Sequence, residues 1–300
     1  MKLFPDHIRK IGLFPLSLGT QGEEYLPTAL KRLSDWGVEY VCPEPQGPQL
    51  RYMAASDQER ARIFNTLLAN EEIDLLFAIR GGFGAARALP YIDWDLLLKR
   101  NIPVVGYSDM TAFLLAAWKK GFTNAISGVM AESSFGDPKS TAEKLEQGAS
   151  ALHRCVAGET IATPFPPDFT GLRTGSATAP VVPANQMLLA SLIGTPWQPD
   201  LTGVILVLEG INEDAITVDR YLTQLKGTGM LEKLAGLVFG TFTNCAQEQY
   251  LPEIFREYAA LVPGPSCYGM PFGHEFPASA IHVGHQATLT VTDGKNVEFH

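Results

Sequence analysis

The sequence predicts an α/β protein whose first part is a parallel sheet wrapped by helices and whose second part is richer in β structure. Three observations carry this. Short apolar strands alternate with helical stretches through the first half, the pattern of parallel strands joined by right-handed crossovers. Two of those strands end in turns, Arg80-Gly81-Gly82 and Gly106-Tyr107-Ser108, which fall where parallel sheets bind ligands, beyond the carboxyl ends of their strands. After a helical stretch near 142–155, Pro, Gly and Thr accumulate, as in Thr163-Pro164-Phe165-Pro166-Pro167, and the alternation stops.

The elements follow in order. Residues 11–14 read as a short buried strand, 25–36 as a helix closed by Gly37, and 38–41 as a second strand. Ser56 caps a helix over 57–69, with Ala61, Phe64, Leu67 and Leu68 near helical spacing. Leu75-Leu76-Phe77-Ala78-Ile79 is a continuous apolar run, as expected of a strand buried on both faces. Val104-Val105 is another strand, and Ala112, Phe113, Leu115, Ala116 and Trp118 give an amphipathic helical pattern after Ser108. In the second half, strands are expected near 203–208, 234–239 and, last, 287–291, with a helix around 218–225. His282 and His285 read as strand positions. The expected partition is 1–155, a linker over 156–170, and 171–300, with the break near 160.

Composition narrows the function. A chain of 300 residues with 46% hydrophobic and 18% charged residues is an ordinary globular protein. A net charge of -9 argues against nucleic acid, which needs clustered Lys and Arg. No apolar run approaches the roughly 20 residues of a bilayer span. Asp6, His7, Arg9 and Lys10 interrupt the N-terminus, so a secretory leader is not expected. Cys42, Cys155, Cys245 and Cys267 are too scattered for a disulfide framework or a zinc site, and read as buried reduced thiols. The expectation is a cytoplasmic protein without metal or organic cofactor.

Ser108 stands on a sharp strand-to-helix turn. There a hydroxyl is exposed to a substrate carbonyl, beside the first amides of a helix and the positive end of its dipole. The same position suits a plain N-cap for Met110 or Thr111. Arg80-Gly81-Gly82-Phe83-Gly84 reads either as a tight turn or as a source of oxyanion-binding amides, with Arg80 free for a substrate carboxylate. Glu209 ends an apolar strand and is either solvated at its tip or paired with a histidine. Glu213, Asp214 and Asp219 are expected to face solvent or cap the next helix. His274 lies in the Pro- and Gly-rich loop Met270-Pro271-Phe272-Gly273-His274-Glu275-Phe276-Pro277, the kind of anchored loop that carries binding residues. Ser108, Glu209 and His274 thus run in the order nucleophile, acid, base. An α/β-hydrolase shares that order, but its elbow has glycine where Met110 stands.

Together these motifs resemble the LD-carboxypeptidase family of serine peptidases. The resemblance runs through most of the chain: Ile11-Gly12 with Pro15 and Ser17, Asp57-Gln58-Glu59-Arg60-Ala61, Arg80-Gly81-Gly82-Phe83-Gly84-Ala85, Gly106-Tyr107-Ser108-Asp109-Met110-Thr111-Ala112, Gly194-Thr195-Pro196-Trp197, Asp219-Arg220-Tyr221-Leu222 and Pro271-Phe272-Gly273-His274. It implies a flavodoxin-like or amidotransferase-like N-terminal domain, a β-rich C-terminal domain, a site between them and a homodimer. By the same resemblance Ser108 is the nucleophile, His274 the base and Glu209 its orienting acid. The amides of Asp109 and Gly82 form the oxyanion hole, and Arg80 and Asn185 contact substrate. The implied reaction releases a C-terminal D-amino acid from a murein-derived peptide through an acyl-enzyme. Alternatives are an amidase acting on another conjugate, such as a peptidyl-nucleotide, or an inactive binding module. The chain departs from the family pattern at Ser127-Gly128-Val129, at Pro183-Ala184-Asn185-Gln186, and at Gly210, where aspartate is common.

Overall fold

The computed structural model describes residues 2–300. Its first six strands are β1 (Lys10–Phe14), β2 (Glu39–Val41), β3 (Leu75–Ala78), β4 (Val104–Gly106), β5 (Ala125–Ser127) and β6 (Ile161–Ala162). The remaining eight are β7 (Thr170–Arg173), β8 (Gly175–Asn185), β9 (Ile205–Ile211), β10 (Gly236–Thr243), β11 (Ser266–Tyr268), β12 (Ala280–His282), β13 (Gln286–Val291) and β14 (Val297–Phe299). They form two seven-stranded sheets.

The first sheet runs β2-β1-β3-β4-β5-β12-β6, and its first five strands are all parallel. The order 2-1-3-4-5 is that of a flavodoxin-like doubly wound sheet. β12 and β6 then add antiparallel. The second sheet, β14-β13-β8-β9-β10-β11-β7, has a parallel centre of β8 to β11 and antiparallel edges.

The first sheet also takes in two strands from beyond residue 155. β12 comes from the C-terminal half yet pairs with β5, placing Ile281 opposite Ser127. β6, from the expected linker, pairs with β12. The chain therefore crosses back after His274, which ties the loop carrying that residue to the sheet whose strand β4 leads into the Ser108 turn.

The helix Thr111–Lys119 lies at the seam. The sequence pattern predicts an amphipathic helix, but residues 111–117 are buried on every face. Phe113, Leu114, Ala116 and Ala117 join the core of the first sheet, whereas Ala112 and Leu115 join that of the second. Two cores meeting on one helix leave it no solvent face, and truncating Phe113 to alanine would cost about 3–5 kcal/mol. Other expectations also shift. A further strand, β14, follows 287–291 and covers the edge of β13. His285 occupies the turn after β12 rather than a strand. All four cysteines are free, but only Cys155 and Cys267 are buried. No helix among the described residues is long and apolar enough to cross a membrane.

Candidate active site

The turn after β4 holds Ser108 in the left-handed region, at φ 62°, a strained conformation for a residue with a side chain. Its hydroxyl does not cap the helix. Met110 N–H donates instead to the Tyr107 carbonyl (3.1 Å), and no side chain caps this turn. The Ser108 Oγ lies 2.8 Å from His274 Nε2, and His274 Nδ1 lies 2.7 Å from Glu209 Oε2. With Nδ1–H donating to the carboxylate, Nε2 is left to accept the serine proton.

Each partner is positioned by its own element. Asn185 and Glu209 are register neighbours on parallel strands β8 and β9, so their side chains lie together. Asn185 Nδ2 donates to Glu209 Oε1 at 2.9 Å, while its Oδ1 accepts from Leu188 N–H and caps the helix Gln186–Leu192. The resemblance assigns Asn185 to substrate. In the structure it lines the cleft, but its carboxamide is spent on the acid and the cap. Glu209 is 1% exposed, so a buried carboxylate has found two donors, His274 and Asn185.

The His274 loop is fastened at both ends. A bulge in β10 lets Thr241 N–H donate to the Phe272 carbonyl (2.8 Å), and Ser279 N–H donates to the Pro271 carbonyl (2.7 Å). Gly273 sits so close to β9 and β10 that a Cβ would fall 2.2 Å from Thr241 Oγ1 and 3.2 Å from Glu209 Oε2. The Tyr107 ring packs against His274 with centroids 5.0 Å apart.

On the opposite wall, a Cβ at Gly81 would touch Ser108 Oγ at 3.1 Å, so this backbone abuts the serine hydroxyl. Gly82 has φ 112°, and its amide makes no hydrogen bond among the described residues. Two side chains to which the sequence assigned no role, those of Asp109 and Arg60, hold this wall. The buried Asp109 carboxylate accepts from Ser17 Oγ (2.6 Å) and from Ala85 N–H (2.8 Å), bridging the serine turn to the glycine turn. Burial pushes its carboxyl up, while Ser17, the Ala85 amide and Arg60 pull it down. Arg60, fully buried, donates to the Leu16 and Gly84 carbonyls and pairs with Asp57. Asp57 and Arg60 both belong to the Asp57-Gln58-Glu59-Arg60-Ala61 motif, which was a legible but unexplained signal.

Ser108, His274, Asn185, Gly81 and Gly82 line a cleft of about 1070 Å³ that also includes Met187, Tyr221 and Asn244. Arg80 is in its wall, but donates to the Gly19 carbonyl (2.9 Å) and lies 3.8 Å from the buried Glu132. Of the three carboxylates expected to cap or face solvent, Asp214 caps Thr217 N–H (2.8 Å) and Asp219 accepts from the Tyr258 hydroxyl. Glu213 instead turns inward beside Glu209, and burial with that neighbour and Asp214 pushes its carboxyl up to about 7.

The arrangement can activate a hydroxyl for attack on a carbonyl and present amides to the resulting oxyanion. A family model for the LD-carboxypeptidase N-terminal domain matches residues 11–128, and one for the C-terminal domain matches 178–289. The murein tetrapeptide carboxypeptidase of Pseudomonas aeruginosa is 29% identical over 275 residues, covering 89% of this chain and 88% of that protein. The crystal structure of muramoyltetrapeptide carboxypeptidase from Oxalobacter formigenes superposes with a TM-score of 0.83 at 26% identity, covering 97% of each chain. A structure of MccF in complex with glutamyl sulfamoyl guanosine shares the fold, with a TM-score of 0.85 at 20% identity over 99% of this chain and 97% of that one.

Proposed function

The chain belongs to the LD-carboxypeptidase family, and from that premise we propose that it is a serine carboxypeptidase cleaving an L,D-amide at the C-terminus of murein-derived peptides. The observation that carries the serine mechanism is the continuous contact Ser108 Oγ to His274 Nε2 to Glu209, at 2.8 and 2.7 Å. Ser108 attacks the carbonyl as His274 takes its proton, and Glu209 holds the imidazole and stabilises its cation. The Asp109 and Gly82 amides receive the oxyanion. His274 then protonates the leaving amine, a D-amino acid departs, and water deprotonated by the same base attacks the acyl-enzyme, the proton passing from His274 to Ser108 Oγ as the acid product leaves.

Residues 1–155 supply the nucleophile and 171–300 the acid and base in this reading, joined through 156–170. Arg80 is the cleft's cation for the substrate's terminal carboxylate. A cytoplasmic homodimer acting on peptide, and not on nucleic acid or membrane, completes the proposal; sedimentation at micromolar concentration tests the dimer.

The enzymatic test is incubation with the murein tetrapeptide. D-alanine release is expected, together with stoichiometric labelling of Ser108 by a fluorophosphonate. A folded protein that releases no D-alanine overturns the reading. Release of amine from a peptidyl-nucleotide, but not from the tetrapeptide, would favour the amidase alternative.

A further inference from the structure

Ser17, Arg60 and Asp109 are buried polar side chains of the first sheet's half, and none of them lines the cleft. Their hydrogen bonds converge on two short segments, 16–17 after β1 and 84–85 after the glycine turn. Arg60 donates to the Leu16 and Gly84 carbonyls, and is itself held by Asp57, which also pairs with Arg87 (2.8 Å). One residue further along each segment, the Ser17 hydroxyl (2.6 Å) and Ala85 N–H (2.8 Å) donate to Asp109 Oδ2. Each segment is therefore pinned twice, once by a guanidinium and once by a carboxylate. Burying two charged groups is costly. What directional bonds add over apolar packing is a fixed geometry.

That geometry bears on the two amides assigned to the oxyanion. Gly82 (φ 112°) and Gly84 (φ 127°) give the turn a permissive backbone, so its position depends on what holds its ends. At its start the tie is long, Leu18 N–H to the Gly81 carbonyl at 3.4 Å. At its end, Asp109 grips Ala85 at 2.8 Å. Asp109 is also the residue whose own amide is the other donor. It thus carries one amide on its backbone and, through its side chain, anchors the turn that carries the second.

We propose that Asp109 is a positioning residue: its carboxylate fixes the glycine turn against the serine turn so that the Gly82 and Asp109 amides converge on one oxyanion. Arg60, held by Asp57, braces the same two segments, which gives the Asp57-Gln58-Glu59-Arg60-Ala61 motif its part in the reaction. The inference rests on the serine mechanism proposed above, not on the identity of the peptide. Displacing a preorganised donor by a fraction of an ångström weakens only the charged transition state, so the effect should fall on kcat and not on KM.

The test follows two rates in the wild-type chain and in Ser17→Ala, Asp109→Ala and Asp109→Asn. One is D-alanine release from the tetrapeptide. The other is the second-order rate of Ser108 labelling by a fluorophosphonate, whose phosphoryl oxygen needs the same amides. Both are taken per folded protein, well below each melting temperature. Ser17→Ala should lose about tenfold in kcat and in labelling, and Asp109→Ala about 10²-fold, with KM within about twofold. The Asp109→Asn amide oxygen can accept both bonds, since both fall on Oδ2, and should recover about tenfold of that loss. Lower melting temperatures with unchanged rates would make the network merely structural and overturn the inference. Equal losses in Asp109→Asn and Asp109→Ala would also overturn it. If Asp109→Ala does not fold, Ser17→Ala decides, because it keeps the Ala85 bond. A wild-type chain labelled at Ser108 that releases no D-alanine overturns the carboxypeptidase reading alone, and the labelling rates then decide this inference. A folded wild-type chain that is neither labelled nor active overturns both.

Discussion

The two walls of the cleft are built from different material. The wall from the first sheet offers backbone: Gly81 against Ser108, the free Gly82 amide, and a serine held at φ 62° by its turn. The wall from the second sheet offers side chains, namely His274, Asn185 and Glu213, with Glu209 buried behind the first two, spaced by strand register and a fastened loop. The first wall needs turns of unusual conformation, which local sequence encodes through glycine. The second needs neighbours brought from distant segments, since Ser108 and His274 are 166 residues apart. Substitutions should therefore fail differently on the two sides.

The largest effect is expected where the walls meet. Ser108→Ala should lower kcat for D-alanine release by about 10⁴-fold or more, with the melting temperature nearly unchanged. Retention of even a tenth of the rate would mean that the walls are not joined through this hydroxyl. On the side-chain wall, Glu209→Gln keeps the shape but removes the charge that fixes the His274 tautomer. A loss of about 10³–10⁴-fold in kcat, with KM little altered, is the expected result.

On the backbone wall, Gly82→Ala should act through conformation. The new Cβ would meet Leu18 Cδ1 at 2.3 Å from a residue at φ 112°, so the turn must move. About 10²-fold in kcat should be lost, as for one oxyanion donor, together with a measurable drop in melting temperature. Stability loss without a kinetic effect would show that the Gly82 amide is not used.

The smallest effect concerns the seam. His282 on β12 bonds the Cys155 carbonyl through Nε2 (2.9 Å) and stacks on His285 at 4.2 Å. Burial first, and His285 second, hold its imidazole down at about 4, below the 6.5 of an exposed ring. The folded state thus resists a proton that the unfolded chain accepts. Its stabilising contribution is complete above pH 6.5 and is lost as pH falls through 4, up to about 3 kcal/mol. Melting temperatures between pH 7 and 4 should fall, and His282→Asn should flatten the slope; equal slopes would remove His282 from that account.

Legibility in the sequence follows the same division. Gly81-Gly82 and Ser108 stood out because a φ above zero and a strand-to-helix corner restrict which residues fit. The helix 111–119 was legible as a helix but not as a buried one, because its second apolar face is explained only by the other core. Asn185 was read through resemblance as a substrate contact; its commitment to Glu209 depends on the β8–β9 register, which no local pattern states. Glu213 read as a surface acid for the same reason.

The sequence by itself determined the parallel-sheet half, the two special turns and the candidate set Ser108, Glu209 and His274, because periodicity and turn chemistry are local. The tertiary structure alone decided that β12 crosses back into the first sheet, that Asn185 holds Glu209, and that Glu213 faces the cleft. Those outcomes depend on strand pairing and close packing between segments far apart in the chain, where three-residue strands and single glycines carry too little local signal to fix their partners.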